Sequence, residues 1–345
     1  MLAAGVTVAH FIDDNNQVWQ STALSNVNVN FSLQFSPVEA LKSNVYIQSV
    51  SSSNHHLLID TDGNVYVSGD NFAGQLGLGN TNLVLPQQPI KLENLPHIVA
   101  AAAGASHSLL VDINGGVWSF GNNEHCRLAH TEPRVKTVTS PKLIENIPQI
   151  QAVSASNHSM FLDYNGEVWG CGTNGHGQLG LSKSAHTVVW HPQKIENIPA
   201  IQSIATGPLY TTYLDLNQTA WFSGSNLHSE YTGNSPVMYE PVALANLGKV
   251  KSIDASRLPF FLDEDGAVWT ANSDLTTTKL QGFTQPIAYQ SANVNIHLFA
   301  DLEHKLWQAT KSQDKTNVYN VRPIPNLPAV AAPPEKQLKN ARNVI

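Results

Sequence analysis

The sequence predicts an all-β fold, a seven-bladed β-propeller of four-stranded blades whose ring closes by pairing its N- and C-terminal strands. Three observations predict it. First, an Asp followed six positions later by a large aromatic recurs seven times: Asp13…Trp19, Asp60…Tyr66, Asp112…Trp118, Asp163…Trp169, Asp215…Trp221, Asp263…Trp269 and Asp301…Trp307. Second, successive aromatics lie 47, 52, 51, 52, 48 and 38 residues apart, a period that belongs to repeat architectures. Third, no segment between the copies carries a 3.6-residue apolar period, so the units are built from strands.

Each copy reads as a β-hairpin. Apolar runs such as Leu57-Leu58-Ile59, Leu109-Leu110-Val111 and Met160-Phe161-Leu162 lead into the Asp. Four copies then carry Asn or Asp before Gly (Asp62-Gly63, Asn114-Gly115, Asn165-Gly166, Asp265-Gly266), the pair that supplies positive φ to a tight turn. The aromatic follows on the second strand, where a large ring suits a pleated, half-buried surface. Trp19, Tyr66, Trp118, Trp169, Trp221, Trp269 and Trp307 are therefore expected to be structural anchors, and only Trp190 among the tryptophans falls outside the phase. Seven acids raise the thought of catalysis or Ca²⁺ ligation. The plainer reading is that each Asp accepts backbone N–H groups of its own turn, two residues on.

The ends of the chain predict closure. Ala3-Ala4-Gly5 matches Ala102-Ala103-Gly104 on the approach to the third hairpin, so the first unit is expected to lack its opening strand. Pro325-Asn326-Leu327-Pro328-Ala329-Val330-Ala331-Ala332 resembles the segment Glu93 to Ala100 and is expected to supply it, covering edges that an open array would leave bare. Residues 1–332 then form one propeller and residues 333–345 a polar tail.

Between hairpins, the complete units carry a glycine-rich loop and a proline connector. The loop reads Gly69-Asp70-Asn71-Phe72-Ala73-Gly74-Gln75-Leu76-Gly77-Leu78-Gly79 and returns as Gly172 to Leu181. In the third unit it degrades to Gly121-Asn122-Asn123-Glu124-His125-Cys126-Arg127-Leu128. The connector Glu-Asn-Leu/Ile-Pro stands at Glu93–Pro96, Glu145–Pro148 and Glu196–Pro199. Strand order puts the Ala-Ala-Gly and glycine-rich loops on one face of the ring and the Asp turns and connectors on the other.

Composition narrows the function classes. Charged residues are 13% and the net charge is −7, which disfavours a dominant nucleic-acid or anionic-membrane role because those need clustered Lys and Arg. The two cysteines, Cys126 and Cys171, lack metal-ligand spacing and are too few for a disulfide framework, so a reducing, cytoplasmic setting is expected. No run approaches the length of a membrane span, and the first residues do not read as a signal peptide.

The run Val65 to Gly79 and the run Ala102-Ala103-Gly104-Ala105-Ser106-His107-Ser108-Leu109-Leu110 resemble the repeat of the regulator of chromosome condensation family, most strongly over residues 50–205. The resemblance implies a seven-bladed propeller. The founding member is a guanine nucleotide exchange factor for the small GTPase Ran, and many relatives are interaction platforms. Bacterial effectors that carry the repeat are similar in being compact and Asn-rich, which would place the protein in host cytosol. The plant ultraviolet-B branch relies on a Gly-Trp-Arg-His-Thr pattern that this chain lacks. Chromatin binding rests in the founding member on a basic N-terminal tail, whereas this chain begins within the first blade. That member also inserts an extra hairpin into the GTPase. Here no interval between aromatics exceeds 52 residues, so exchange is expected to be weak or moderate at most.

Candidate chemistry is sparse. The loop at Gly74–Gly79 opens no helix and lacks the Gly-Lys-Ser/Thr ending of a phosphate cradle, so its glycines serve turns and packing. His55, His107 and His158 stand five residues before the repeat Asp in successive units and could converge on Zn²⁺, but Tyr210, Leu258 and Ile296 follow in that position. A structural role, tying neighbouring loops as neutral imidazoles, fits better. No nucleophile elbow is present, so no catalytic residue, metal or cofactor is expected. The expected activity is protein binding by a monomer, through the divergent segment Asn122–Ser140 with Glu124, His125, Arg127, Arg134 and Lys136, and through Asp70 and Asn71. The partner expected is a Ran-class GTPase. A pure scaffold without exchange activity is the alternative.

Overall fold

The fold is a computed structural model that describes residues 2–4, 9–21, 33–39, 41, 47–85, 88–130, 135–182, 187–225, 237–255, 258–272, 274–281, 287–292, 296–311 and 319–330. Among these residues lie seven antiparallel sheets of four strands, each built from one continuous stretch of chain. Blade 3 shows the plan: Ile98–Ala103, His107–Asp112, Val117–Asn122 and Thr137–Leu143, hydrogen-bonded in that order. The first strand of each blade lies against the first strands of its neighbours, so these strands surround the axis and the fourth strands form the rim. No helix among the described residues is long and apolar enough to cross a membrane.

The core is divided among the blade interfaces. Leu57, Ile59, Val65 and Val67 of blade 2 pack on Ala103, Leu110 and Phe120 of blade 3. Corresponding clusters join every later pair; between blades 4 and 5, for example, Met160, Leu162 and Leu179 meet Tyr213. Each fully buried side chain in them is worth about 1.5–3 kcal/mol relative to exposure. Seven blades in an open row have six interfaces, yet seven clusters are found among the described residues. The seventh joins Ala9 and Phe11 of blade 1 to Leu298, Ala300 and Leu306 of blade 7, together with Ile324 and Val330. The ring is closed.

Closure differs in detail from the sequence expectation. The first unit does not lack its opening strand, because Leu2–Ala4 pairs with Ala9–Ile12. The C-terminal segment contributes a bridge from Val330 to Asp13, and the Asp14 N–H donates to Ala329 O at 3.3 Å. Ile98 makes the corresponding bridge to Asp112 in blade 3, so Val330 marks the start of the innermost strand of blade 1 and Leu2–Ala4 continues it. The two ends of the chain thus share one strand. Residues 331–345, including the expected polar tail, lie outside the described residues.

Candidate functional site

On one face, the seven Asp turns follow a single hydrogen-bond scheme that explains the spacing of six. In blade 3 the Asp112 Oδ1 accepts the N–H of Asn114 at 2.9 Å and of Gly116 at 3.0 Å. Its Oδ2 accepts the Trp118 Nε1–H at 3.0 Å. The Trp-to-Asp bond recurs from Trp19 (2.9 Å), Trp169 (3.4 Å), Trp221 (3.0 Å), Trp269 (2.8 Å) and Trp307 (2.8 Å). In blade 2 the Tyr66 hydroxyl takes this place at 3.2 Å, helped by Asn64 Nδ2 at 2.8 Å. The expected turn capping is therefore joined by a side-chain lock. The anchors themselves are half-buried rather than fully buried, because the ring covers the turn from the outer side. Only the Gly of the Asn/Asp-Gly pair has positive φ, as at Gly115 (81°), which fits a type I turn followed by one left-handed residue. Asn16, Gln218 and His304 fill that place in blades 1, 5 and 7.

On the opposite face, the histidines tie neighbouring blades. His55 Nε2 lies 2.7 Å from Ser108 Oγ, His107 Nε2 2.9 Å from Ser159 Oγ, and His158 Nε2 2.8 Å from Thr211 Oγ1. Those hydroxyls donate in turn to the carbonyls of Gln75, Arg127 and Gln178, which belong to the blade the histidine came from. A hydroxyl has one proton, so it must accept from the ring, and the imidazole is the neutral Nε2–H tautomer. Burial pushes His55 and His158 down to about 3 and holds His107 well below its ordinary value. Gly104 is required beside this ring, since a Cβ there would stand 2.5 Å from His107 Cε1. The histidines expected to be structural are thus latches between blades.

The glycine-rich loops of blades 2, 3 and 4 share one skeleton. Asn71, Asn123 and Asn174 lie buried beneath them, and each Oδ1 accepts the N–H five residues on, from Leu76 (2.9 Å), Leu128 (3.2 Å) and Leu179 (3.1 Å). Gly74 and Gly77 in blade 2 have φ of 75° and 70°, and Gly177 and Gly180 in blade 4 have 73° and 72°. Blade 3 puts Cys126 (61°) and Ala129 (60°) at those positions, with His125 at 59° beside them. Left-handed backbone costs a residue with a Cβ about 1–2 kcal/mol, and such strain collects at functional segments.

Of the predicted partner-binding residues, Glu124, His125 and Lys136 are exposed on this loop face and Asp70 is half-exposed. Two predictions are corrected. Asn71 is only 1% exposed, consumed as the staple of its own loop. Arg127 is 7% exposed, with its Nε–H turned back to Glu124 O at 2.9 Å, because it replaces the buried Gln of the other loops. Arg134 lies outside the described residues. Sequence reasoning missed Phe72 (66% exposed), Leu83 (60%) and Leu85 (54%) in the neighbouring loop of blade 2. The signal for Phe72 lay in the loop skeleton, where it occupies the place that Glu124 takes in blade 3. Cys126 and Cys171 are buried and unpaired, and burial pushes both thiols up, away from the thiolate a nucleophile needs.

Residues 62–111, 114–162 and 165–214 match the family model of the regulator of chromosome condensation repeat. A second model of the same repeat matches residues 98–125 and 151–178. The chain carries regulator of chromosome condensation repeats. They run from the Asp turn of blade 2 to the second strand of blade 5, across the glycine loops of blades 2 to 4. The chain is 27% identical over 187 residues to the protein RCC2 homolog of Xenopus laevis, covering 47% of this chain and 36% of that protein. It is 31% identical over 236 residues to the probable E3 ubiquitin-protein ligase HERC6 of Homo sapiens, covering 65% of this chain and 23% of that protein. The matches thus span well under half of these relatives. Among solved structures, human WBSCR16 is similar with a TM-score of 0.73 at 15% identity, covering 87% of this chain and 86% of that one. Prp20p from Saccharomyces cerevisiae is similar with a TM-score of 0.71 at 17% identity, covering 85% and 80%. The two solved structures share the fold of this chain.

Proposed function

We propose that this propeller binds a small GTPase of the Ran class through the glycine-loop face of blades 2 and 3, and promotes guanine nucleotide release to a modest extent. The observation that carries the reading is the blade 3 loop, which keeps a strained backbone at His125, Cys126 and Ala129 while presenting Glu124, His125 and Lys136 to solvent. Phe72 stands at the matching position of blade 2 and supplies an exposed aromatic ring, a residue class that interfaces enrich. Support comes from Prp20p, whose crystal structure was determined together with its binding properties to the Ran-like GTPase Gsp1p and to histones. The propeller acts by binding, with no reaction chemistry of its own.

An exchange factor binds the nucleotide-free GTPase more tightly than the loaded one, and linkage then requires it to weaken nucleotide binding by the same factor. No blade has room for an added hairpin, since successive aromatics are at most 52 residues apart, so the release expected is modest. The test is loss of a fluorescent GDP analogue from Ran with excess unlabelled nucleotide, with and without the propeller. Acceleration that disappears in Phe72→Ala/Glu124→Ala/Lys136→Ala supports the reading. Binding to Ran without acceleration removes the exchange role, and no acceleration together with no binding leaves the scaffold alternative, with other partners, standing alone.

A further inference from the structure

The Asp-turn face carries an arc of apolar side chains that the proposed GTPase contact does not use. In blades 3, 4 and 5 the residue directly after the repeat Asp is Ile113, Tyr164 or Leu216, and these are 58%, 40% and 55% exposed. Large apolar groups at the same place in three successive blades form a pattern, unlike the scattered apolar residues normal to any surface. The turns that hold them are rigid. The Asp locks each turn from below, the Ile113 N–H donates to His97 O at 2.9 Å, and the Leu216 N–H donates to Ala200 O at 3.2 Å. Ile113 and Leu216 thereby sit beside the proline connectors of the preceding blades.

The connectors of these blades open on exposed Glu93, Glu145 and Glu196, one carboxylate to each connector. Beneath them lie the carboxylates of Asp112, Asp163 and Asp215, bound by neutral N–H donors and in no salt bridge among the described residues. The nearby Lys194 is already paired with Glu167 at 2.7 Å. Lys91 and Lys142 stand on outer strands at the rim, and Lys249 at the far connector of blade 5. Lys194 also feels Glu196 and Asp163, so the apolar stripe lies in a field that is partly offset but net negative, and fields of one sign select partners of the other.

We propose that this arc is a docking surface for a Lys/Arg-rich, leucine-bearing segment of a partner protein, with Ile113, Tyr164 and Leu216 as its apolar contacts. The site lies on the face opposite the proposed GTPase contact and stands or falls separately from it.

The experiment measures fluorescence anisotropy of a labelled peptide of Lys-Leu repeats titrated with the full-length protein, beside peptides of Lys-Ser and Glu-Leu repeats. The expected result is binding of the Lys-Leu peptide alone. It should weaken about ten-fold or more in Ile113→Ser/Tyr164→Ser/Leu216→Ser, as for loss of a central apolar anchor set. It should also weaken several-fold in Glu93→Gln/Glu145→Gln/Glu196→Gln and in raised salt. All these side chains are solvent-facing, and an unchanged melting temperature certifies folding; the rim variant Trp190→Ser should bind as the parent does. Equal binding of the Lys-Ser peptide, or undiminished binding by the apolar variant, overturns the proposal. So does self-association of the protein that the apolar variant abolishes, because the occupant is then a second copy.

Discussion

Acidification should unfold this propeller far more steeply than its carboxylates alone would require. Six imidazoles, those of His10, His55, His56, His107, His158 and His297, are buried and held below the ordinary histidine value by desolvation. His10 is pushed down to about 4, and His55, His158 and His297 to about 3. In the unfolded chain each regains an ordinary value near 6.5, so below that pH the unfolded state binds protons that the folded state refuses. The sign follows directly: the stabilisation is complete above about pH 6.5, declines as pH falls through the window, and stops declining near the folded values of about 3 to 4. At pH 5.5 each histidine has lost on the order of 1 kcal/mol, so the group together loses several kcal/mol, a large part of the stability of many domains. The assay is urea unfolding followed by tryptophan fluorescence between pH 7.5 and 5. Below pH 6 the slope should correspond to an uptake of about five or six protons, and His107→Gln should remove about one of them. A stability that changes across this range by no more than one proton's worth would refute the latch as drawn.

The turn lock predicts that Trp118→Ala costs about 2–4 kcal/mol, through lost packing and a stranded Asp112 carboxylate, whereas Trp190→Ala, exposed at the rim, stays within about 0.5 kcal/mol; equal losses in chemical denaturation would contradict it. Gly121→Ala should fail to fold or lose several kcal/mol, since its Cβ would meet Ser106 O at 2.6 Å and His107 Cα at 2.7 Å, at a φ of 108°. A thermal melt like the parent's would show that this strand can shift. Deleting residues 325–345 removes the bridge of Val330 to Asp13 and the bond of its N–H to His304 O, so the melting temperature should drop by at least about 5 °C with aggregation. A change of only about 1–2 °C would deny the C-terminal segment its role in closing the ring.

The blade count was legible because one local hydrogen bond repeats seven times. A Trp Nε1 that must reach its own turn's Asp fixes the offset of six, whatever else drifts. The histidine latches were half-legible: their spacing marked them as equivalent, but their partners Ser108, Ser159 and Thr211 sit a whole blade away. The opening strand Leu2–Ala4 was missed because three residues carry too little alternation to register as a strand. Asn71 and Arg127 were misplaced on the surface for a different reason. Polarity in a glycine-rich loop reads as exposure, yet a compact loop needs buried side-chain acceptors and donors to replace the backbone bonds that strands would provide. Phe72 was passed over, although its apolar ring is left outside because Asn71 and Ala73 on either side turn inward.

The most direct measurement of the proposed function is the affinity of this propeller for Ran in two states, nucleotide-free and GDP-bound. The account predicts binding to the nucleotide-free form that is tighter by about ten-fold or more. That preference should collapse when Phe72, Glu124 and Lys136 are changed to Ala and persist when Ile113, Tyr164 and Leu216 are changed to Ser. Equal affinity for both states, or no measurable binding to either, would contradict it.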